Sequence, residues 1–228
     1  MTTFETSDPV VEAIGVCKVY QVGVPVTALT DAHVSVRPGE MVAVQGPSGS
    51  GKSTLLGLLG LLDTPTAGVV RIKGDDISGL RDAARSRLRA STFGFVFQQF
   101  NLIPHLTAVE NVAAALLYRQ VSSKIRAARA RDVLERVGLG DRSEHKPGEM
   151  SGGEQQRVAL ARAVVANPQV ILADEPTGNL DTDATAAVLE LLMGFVAQRV
   201  AVLVATHDPE VASRADRSLR MRDGRIVR

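Results

Sequence analysis

The sequence predicts an α/β protein with a mainly parallel sheet, helices over that sheet, and a phosphate-binding loop at one strand end. Three observations predict it. Runs such as Val170-Ile171-Leu172-Ala173 and residues 200–205 are apolar at every position, so both faces of those strands must be covered. Helical patterns separate several such runs, which is the rhythm of crossover connections. One run, residues 41–44, leads into Gly46-Pro47-Ser48-Gly49-Ser50-Gly51-Lys52-Ser53 and then into a helical pattern over 54–62.

Composition sets the outer bounds. The chain has 228 residues, 45% hydrophobic and 22% charged, the profile of a globular domain with one substantial core. Lys and Arg number 26 against 25 Asp and Glu, a near balance that supplies no global field for nucleic acid. The single cysteine, Cys17, permits no internal disulfide and, flanked by Val16 and Val19, is expected to be a small buried side chain. Residues 1–8 carry two acids and no basic residue ahead of any apolar stretch, so no secretory leader is expected. No apolar run nears the roughly 18 residues that cross a bilayer. Any membrane spans are therefore expected from a partner.

Taken in order, strand-length apolar runs fall at residues 34–36, 41–44, 69–72, 93–97, 170–173 and 200–205. The interval from about 80 to 137 holds one of these and is otherwise predominantly helical, so it reads as a helical insertion. No internal repeat or low-complexity linker divides the chain, which points to one unit. The basic helical segment 124–131 is soon offset by Asp132 and Glu135 and reads as a solvated face. His33, His105 and His145 show no ligand spacing.

The glycine-rich segment has the pattern Gly-x-x-x-x-Gly-Lys-Ser in the strand-to-helix context that a P-loop requires. Its glycines let backbone amides turn inward around phosphate oxygens, the start of the helix adds partial positive charge, and Lys52 neutralises the outer phosphates. Ser53 can place its hydroxyl on magnesium.

The run 170–173 delivers Asp174 and Glu175 to the carboxyl end of a buried strand, where open α/β sheets hold ligands. An acidic loop at a sheet edge is common in itself. Beside a P-loop, Asp174 is expected to hold magnesium and Glu175 to polarise the water that attacks the terminal phosphorus. His207, after the run 200–205 and Thr206, ends another such strand and is expected to contact the terminal phosphate and steady Glu175.

Met150-Ser151-Gly152-Gly153-Glu154-Gln155 opens a helix, with Ser151 and Glu154 as a capping box. The box leaves Gly152 and Gly153 unexplained, since a glycine within a helix costs about 1 kcal/mol relative to alanine. A bare helix start suits a second phosphate. Because the P-loop already holds one, this helix is expected to serve the nucleotide of another copy of the chain.

With these motifs in place the sequence resembles the nucleotide-binding subunits of ABC transporters over nearly its whole length. The resemblance implies the P-loop NTPase fold of ABC ATPases, one unit over 1–228, an N-terminal antiparallel β region, and an inserted helical subdomain with the signature motif within about 80–165. It makes Ser151, Gly152, Gly153, Glu154 and Gln155 the signature that closes over ATP on the opposite protomer's P-loop. It extends the ATP contacts to Thr54 and places Tyr20 against adenine, although Tyr20 also suits a packed strand. Gln98, with Gln99 beside it as the alternative, matches the glutamine that reaches Mg2+, and Asn179-Leu180-Asp181 matches the loop that crosses the dimer interface. Met150 stands where the family usually has leucine.

Residues 95–107 and 173–181 look most like the macrolide-exporter and lipoprotein-release branch, and the cell-division ABC ATPase is similar too. The resemblance implies an ATPase that dimerises with itself or a paralogue and drives a separate permease as a mechanical stroke. It would lie in the cytoplasm against the inner face of the membrane, with no nucleic-acid partner. Phe100, Leu102, Ile103 and Leu106 are placed near the groove for the permease's coupling helix, or else in the core. DNA-repair ATPases share the motifs but carry long coiled coils or zinc modules, and residues 53–151 have neither sustained heptads nor cysteine. Translation-associated relatives carry two units, and this chain has one.

Overall fold

The computed structural model describes residues 8–21 and 23–227; the reading of the first eight residues therefore lies outside it except at Asp8. Two sheets form the frame. The first is antiparallel and holds β1 (Val11–Tyr20), β2 (Val26–Val36), β4 (Ala67–Ile72) and the short β5 (Asp75–Asp76), in the order β2-β1-β4-β5. The second holds β3 (Met41–Gln45), β6 (Phe93–Phe97), β7 (Val170–Asp174), β8 (Ala201–Thr206), β9 (Arg217–Arg222) and β10 (Arg225–Val227), in the order β10-β9-β3-β8-β7-β6. All its pairings are parallel except β9 with β10.

The continuous apolar runs have the expected consequence: every residue of β8 is buried, as are the first four of β7. Alternate residues of one strand enter different cores. Val170 and Leu172 pack with the antiparallel sheet and α1 (Lys52–Leu59). Ile171 and Ala173 pack on the other face with α3 (Ala108–Ala114), α4 (Ser123–Arg136), α5 (Gly152–Val164) and α6 (Thr182–Ala197). Two further helices, α2 (Asp82–Thr92) and α7 (Pro209–Ser213), lead into β6 and follow β8.

Several local expectations change. The helix after the loop begins two residues before 54, at Lys52, and ends at Leu59. The strand candidate at 93–97 is no part of a helical body; it is β6, the edge of the large sheet, paired with β7. Cys17 is half-buried, and Asp31 N–H donates to its Sγ at 3.3 Å. Lys124, Arg129 and Arg131 of α4 do face solvent. Among the described residues no helix is long and apolar enough to cross a membrane.

Candidate functional site

Parallel register aligns the ends of four strands. Phe97 pairs with Asp174, Asp174 with Ala205, and Ala205 with Val44. Gln98, Glu175, Thr206 and Gln45 therefore leave the sheet side by side, and the P-loop and His207 come one residue later.

The loop wraps tightly onto the sheet. A Cβ at Gly46 would lie 2.2 Å from Met221 O and 2.7 Å from Ser50 Oγ. Gly51 caps α1 at φ 102°, a conformation that side chains resist, and no side chain caps the helix start. The first-turn amides thus remain available to an anion, with the helix dipole behind them. Pro47, Ser48 and Gly49 are exposed, as is Ser53, while Ser50 is buried with no partner for its hydroxyl; Thr54 is half-buried.

Lys52 and Glu175 meet in front of this loop. Lys52 is 6% exposed. It donates to Gly46 O at 2.8 Å and Pro47 O at 3.3 Å, and its Nζ lies 3.4 Å from Glu175 Oε1. The other Glu175 oxygen lies 2.9 Å from His207 Nδ1 and accepts from the His207 backbone amide at 3.3 Å. His207 itself is largely exposed. Glu175 sits at φ 46°, a left-handed conformation that costs a residue with a Cβ roughly 1–2 kcal/mol.

Asp174 is the residue whose chemistry best suits a cation. Its Oδ1 is buried without a hydrogen-bond partner among the described residues. Burial holds its carboxyl above the usual range and adjacent Glu175 adds to this, against the opposing pull of Ser53 and Lys52. A buried carboxylate oxygen beside a hydroxyl and a phosphate loop is a hard-oxygen donor set, which fits Mg2+ shared with a substrate phosphate. Among the described residues no three His, Cys, Asp or Glu side chains form a protein-only metal cluster.

The other anticipated residues lie around this centre. Gln98 is exposed and its side-chain amide borders Gly178, while its backbone carbonyl accepts from Asn179 Nδ2 at 3.0 Å. Asp181 caps α6 by accepting from Ala184 N–H at 2.8 Å. Tyr20 is half-buried beside Lys18, whose Nζ stands 4.8 Å from its ring centroid and pairs with Asp63 at 2.7 Å.

At the start of α5 the capping box is complete: Ser151 N–H donates to Glu154 Oε2 at 2.8 Å and Glu154 N–H to Ser151 Oγ at 3.2 Å. The first of these bonds, chiefly, holds the Glu154 carboxyl below its ordinary range. Gln155 Nε2 donates to Met150 O at 3.1 Å. Gly153 has a packing reason that the sequence does not disclose, because its Cβ would lie 2.8 Å from Ala184 Cβ. Gly152 has none, since its neighbours stand at 3.7 Å or beyond.

Three residues with structural claims on the site escape a reading of the sequence. Gln156 is fully buried and donates to Pro176 O. Arg162, largely buried, donates to Phe100 O at 2.7 Å and to Asn101 O, both carbonyls of left-handed residues. Asn111, 1% exposed, braces the next segment through Ile103, Leu106 and Thr107. Helical periodicity marks such positions only as inward-facing, and their partners are remote in sequence. Of the docking candidates, Phe100, Leu102 and Leu106 are half-buried and Ile103 is 38% exposed.

Comparison with known proteins gives the family. Residues 29–178 match the family model described as ABC transporter. The chain is 48% identical over 228 residues to the lipoprotein-releasing system ATP-binding protein LolD of Bordetella pertussis, covering 99% of each. It is also 48% identical over 224 residues to the macrolide export ATP-binding/permease protein MacB 1/2 of Paracoccus denitrificans, but spans only 34% of that protein's length. Among solved structures, the dimeric form of the bacterial ABC transporter cassette MJ0796 superposes with a TM-score of 0.89 at 41% identity, covering 96% of this chain and 97% of that one. A dimeric post-hydrolysis state of the same cassette, bound to ADP and Pi, fits equally well.

Proposed function

The chain belongs to the ABC transporter family, and from that premise we propose that it is an ATP-hydrolysing subunit that closes as a dimer around two ATP molecules and drives a separate membrane permease. The alignment of the P-loop, Gln98, Glu175 and His207 along one sheet edge carries this reading.

In the proposed site the loop from Gly46 to Thr54 wraps the phosphates, and Lys52 exchanges its bonds to Gly46 and Pro47 for phosphate oxygens. Ser53, Asp174 and Gln98 hold Mg2+, which when bound spreads the charge of the outer phosphates. Glu175 takes a proton from water as that oxygen attacks the terminal phosphorus, and the bond to the ADP oxygen breaks. His207 keeps Glu175 turned toward that water and reaches the terminal phosphate. Tyr20 stacks on adenine with its face away from Lys18.

The second phosphate surface comes from a partner. Ser151, Gly152, Gly153, Glu154 and Gln155 of one copy meet ATP on the other, and Asp181 crosses beside them. The match along its full length to a LolD subunit supports a separate permease. The segment of Phe100, Leu102, Ile103 and Leu106, braced by Asn111, would receive it, holding the chain at the cytoplasmic membrane face. Export, lipoprotein release and transmembrane signalling all suit such a motor; nucleic acid has no part in it.

Light scattering of Glu175→Gln tests the reading. The variant is expected to pass from monomer to dimer with Mg-ATP, while turnover falls about 10²- to 10⁴-fold with loss of the base. Turnover equal to the parent's would overturn the role of Glu175. Nucleotide binding without a mass change would leave the ATPase core standing but overturn closure of the chain by ATP alone, making dimer formation either dependent on the permease or wrong.

A further inference from the structure

Resting on the catalytic reading of Glu175, we infer that Gln156 of the same protomer is the positioning residue that sets Glu175 for turnover. Glu175 begins the turn that leaves β7 at φ 46°. Its amide donates to Ala205 O at 2.9 Å, and its carbonyl accepts from Gly178 N–H at 3.2 Å. The next residue, Pro176, has no amide proton, so its peptide cannot be tied down by donating. Its carbonyl is instead held by Gln156 Nε2, from the second turn of α5.

The cost of this bond shows that Gln156 is more than filler. The side chain is 0% exposed. A carbonyl can only accept, so the amide nitrogen must face Pro176. That orientation strands Gln156 Oε1, which is buried with no partner. Methionine or leucine would fill the same space without stranding an oxygen. Among the described residues, the one bond that the buried amide makes goes to the residue directly after Glu175. Lys52 and His207 thus hold the carboxylate, and Gln156 holds the carbonyl of the residue that follows it.

Two variants of the full chain test this with Mg-ATP. Gln156→Met keeps the volume and loses the donor; kcat is expected to fall about tenfold, as for loss of one buried hydrogen bond. Mg-ATP affinity and ATP-dependent dimer formation should stay within about twofold. Gln156→Glu can donate only when protonated, and burial raises a carboxyl pKa, so its kcat relative to the parent's should climb as pH falls from about 8 to about 6.

Parent-like kcat in Gln156→Met overturns the inference. So does dimer formation that falls in step with kcat, because the effect would then pass through the face presented to the other protomer. If Gln156→Met does not fold, the Gln156→Glu profile decides alone, and a flat ratio overturns the inference. Glu175→Gln run alongside separates the two readings: slow turnover there with normal Gln156→Met sinks only the positioning role, whereas normal turnover in both sinks the catalytic one.

Discussion

Replacing Asp174 with asparagine is expected to strengthen the fold while weakening its hold on Mg2+. The carboxylate at the end of β7 has a buried, partnerless Oδ1, and burial, reinforced by Glu175, lifts its carboxyl above the ordinary 3.8. The proton is therefore bound more tightly in the folded chain than in the unfolded one. Below the unfolded value both states are protonated and the difference vanishes. As pH rises through that value and then through the raised folded one, the unfolded chain ionises first, so stability falls and then levels off. At neutral pH the charge on Asp174 is a net cost.

Asparagine keeps the shape, removes the charge, and can turn its carbonyl toward the Ser53 hydroxyl. The amide still leaves one polar atom without a partner, but removing the charge from the buried group is worth about 1–2 kcal/mol, which for a chain of this length is about 2–8 °C in Tm. Thermal unfolding in EDTA without nucleotide measures this gain, which should shrink toward pH 4. Repeating the melt with ATP and rising Mg2+ measures the loss, because the parent should gain Tm from the metal beyond ATP alone and the variant should not. An unchanged or lower Tm in EDTA would refute the burdened carboxylate. An undiminished metal increment would refute Asp174 as its holder.

Other perturbations probe separate parts. Lys52→Ala is expected to lower ATP affinity about 100-fold or more, since charge-assisted bonds to the phosphates are lost; calorimetric titration showing parent-like affinity would sink the phosphate assignment. Gly94→Ala puts a Cβ 2.3 Å from the backbone oxygen of Ala163 in α5, and prising that helix from β6 should cost about 2–3 kcal/mol. The Tm should drop by about 5–10 °C, and a melt matching the parent's would show that the two elements part freely.

Legibility in the sequence depends on distance along the chain. β7 and β8 are plain because both faces are buried, so every position of their apolar runs is filled. β9 is hidden: Arg217, Arg220 and Arg222 make it look like a solvent-exposed connection, yet once it pairs with β3 Leu219 and Met221 turn inward, and Arg217 on the same face is half-buried against Glu40 and Ser35. β1 is obscured by Gly15 at φ 61°, where the register slips between Ala13 and Val16 and the alternation of faces breaks. The P-loop and capping box are local and announce themselves. Gly153 reads in the sequence as a ligand contact alone, because Ala184 lies far away along the chain. Gln156 and Arg162 look like ordinary helix positions until Pro176 and the two left-handed residues are brought to them.

The common rung at which the motifs leave the sheet bears on how the chain tolerates growth. Neighbouring strands are spaced by about 4.8 Å, so the gap between Gln98 and Glu175 is set by the sheet and not by the 76 residues that separate them in sequence. Closing a longer loop adds only about 0.6 kcal/mol per doubling of its length. Between α3 and Ser151 the polypeptide can therefore be lengthened or remodelled without altering the reacting centre, provided that Gln98 at one end and Ser151 to Gln156 at the other keep their places. Growth of the helical body and preservation of the sheet-end geometry thus fall to separate stretches of the same chain.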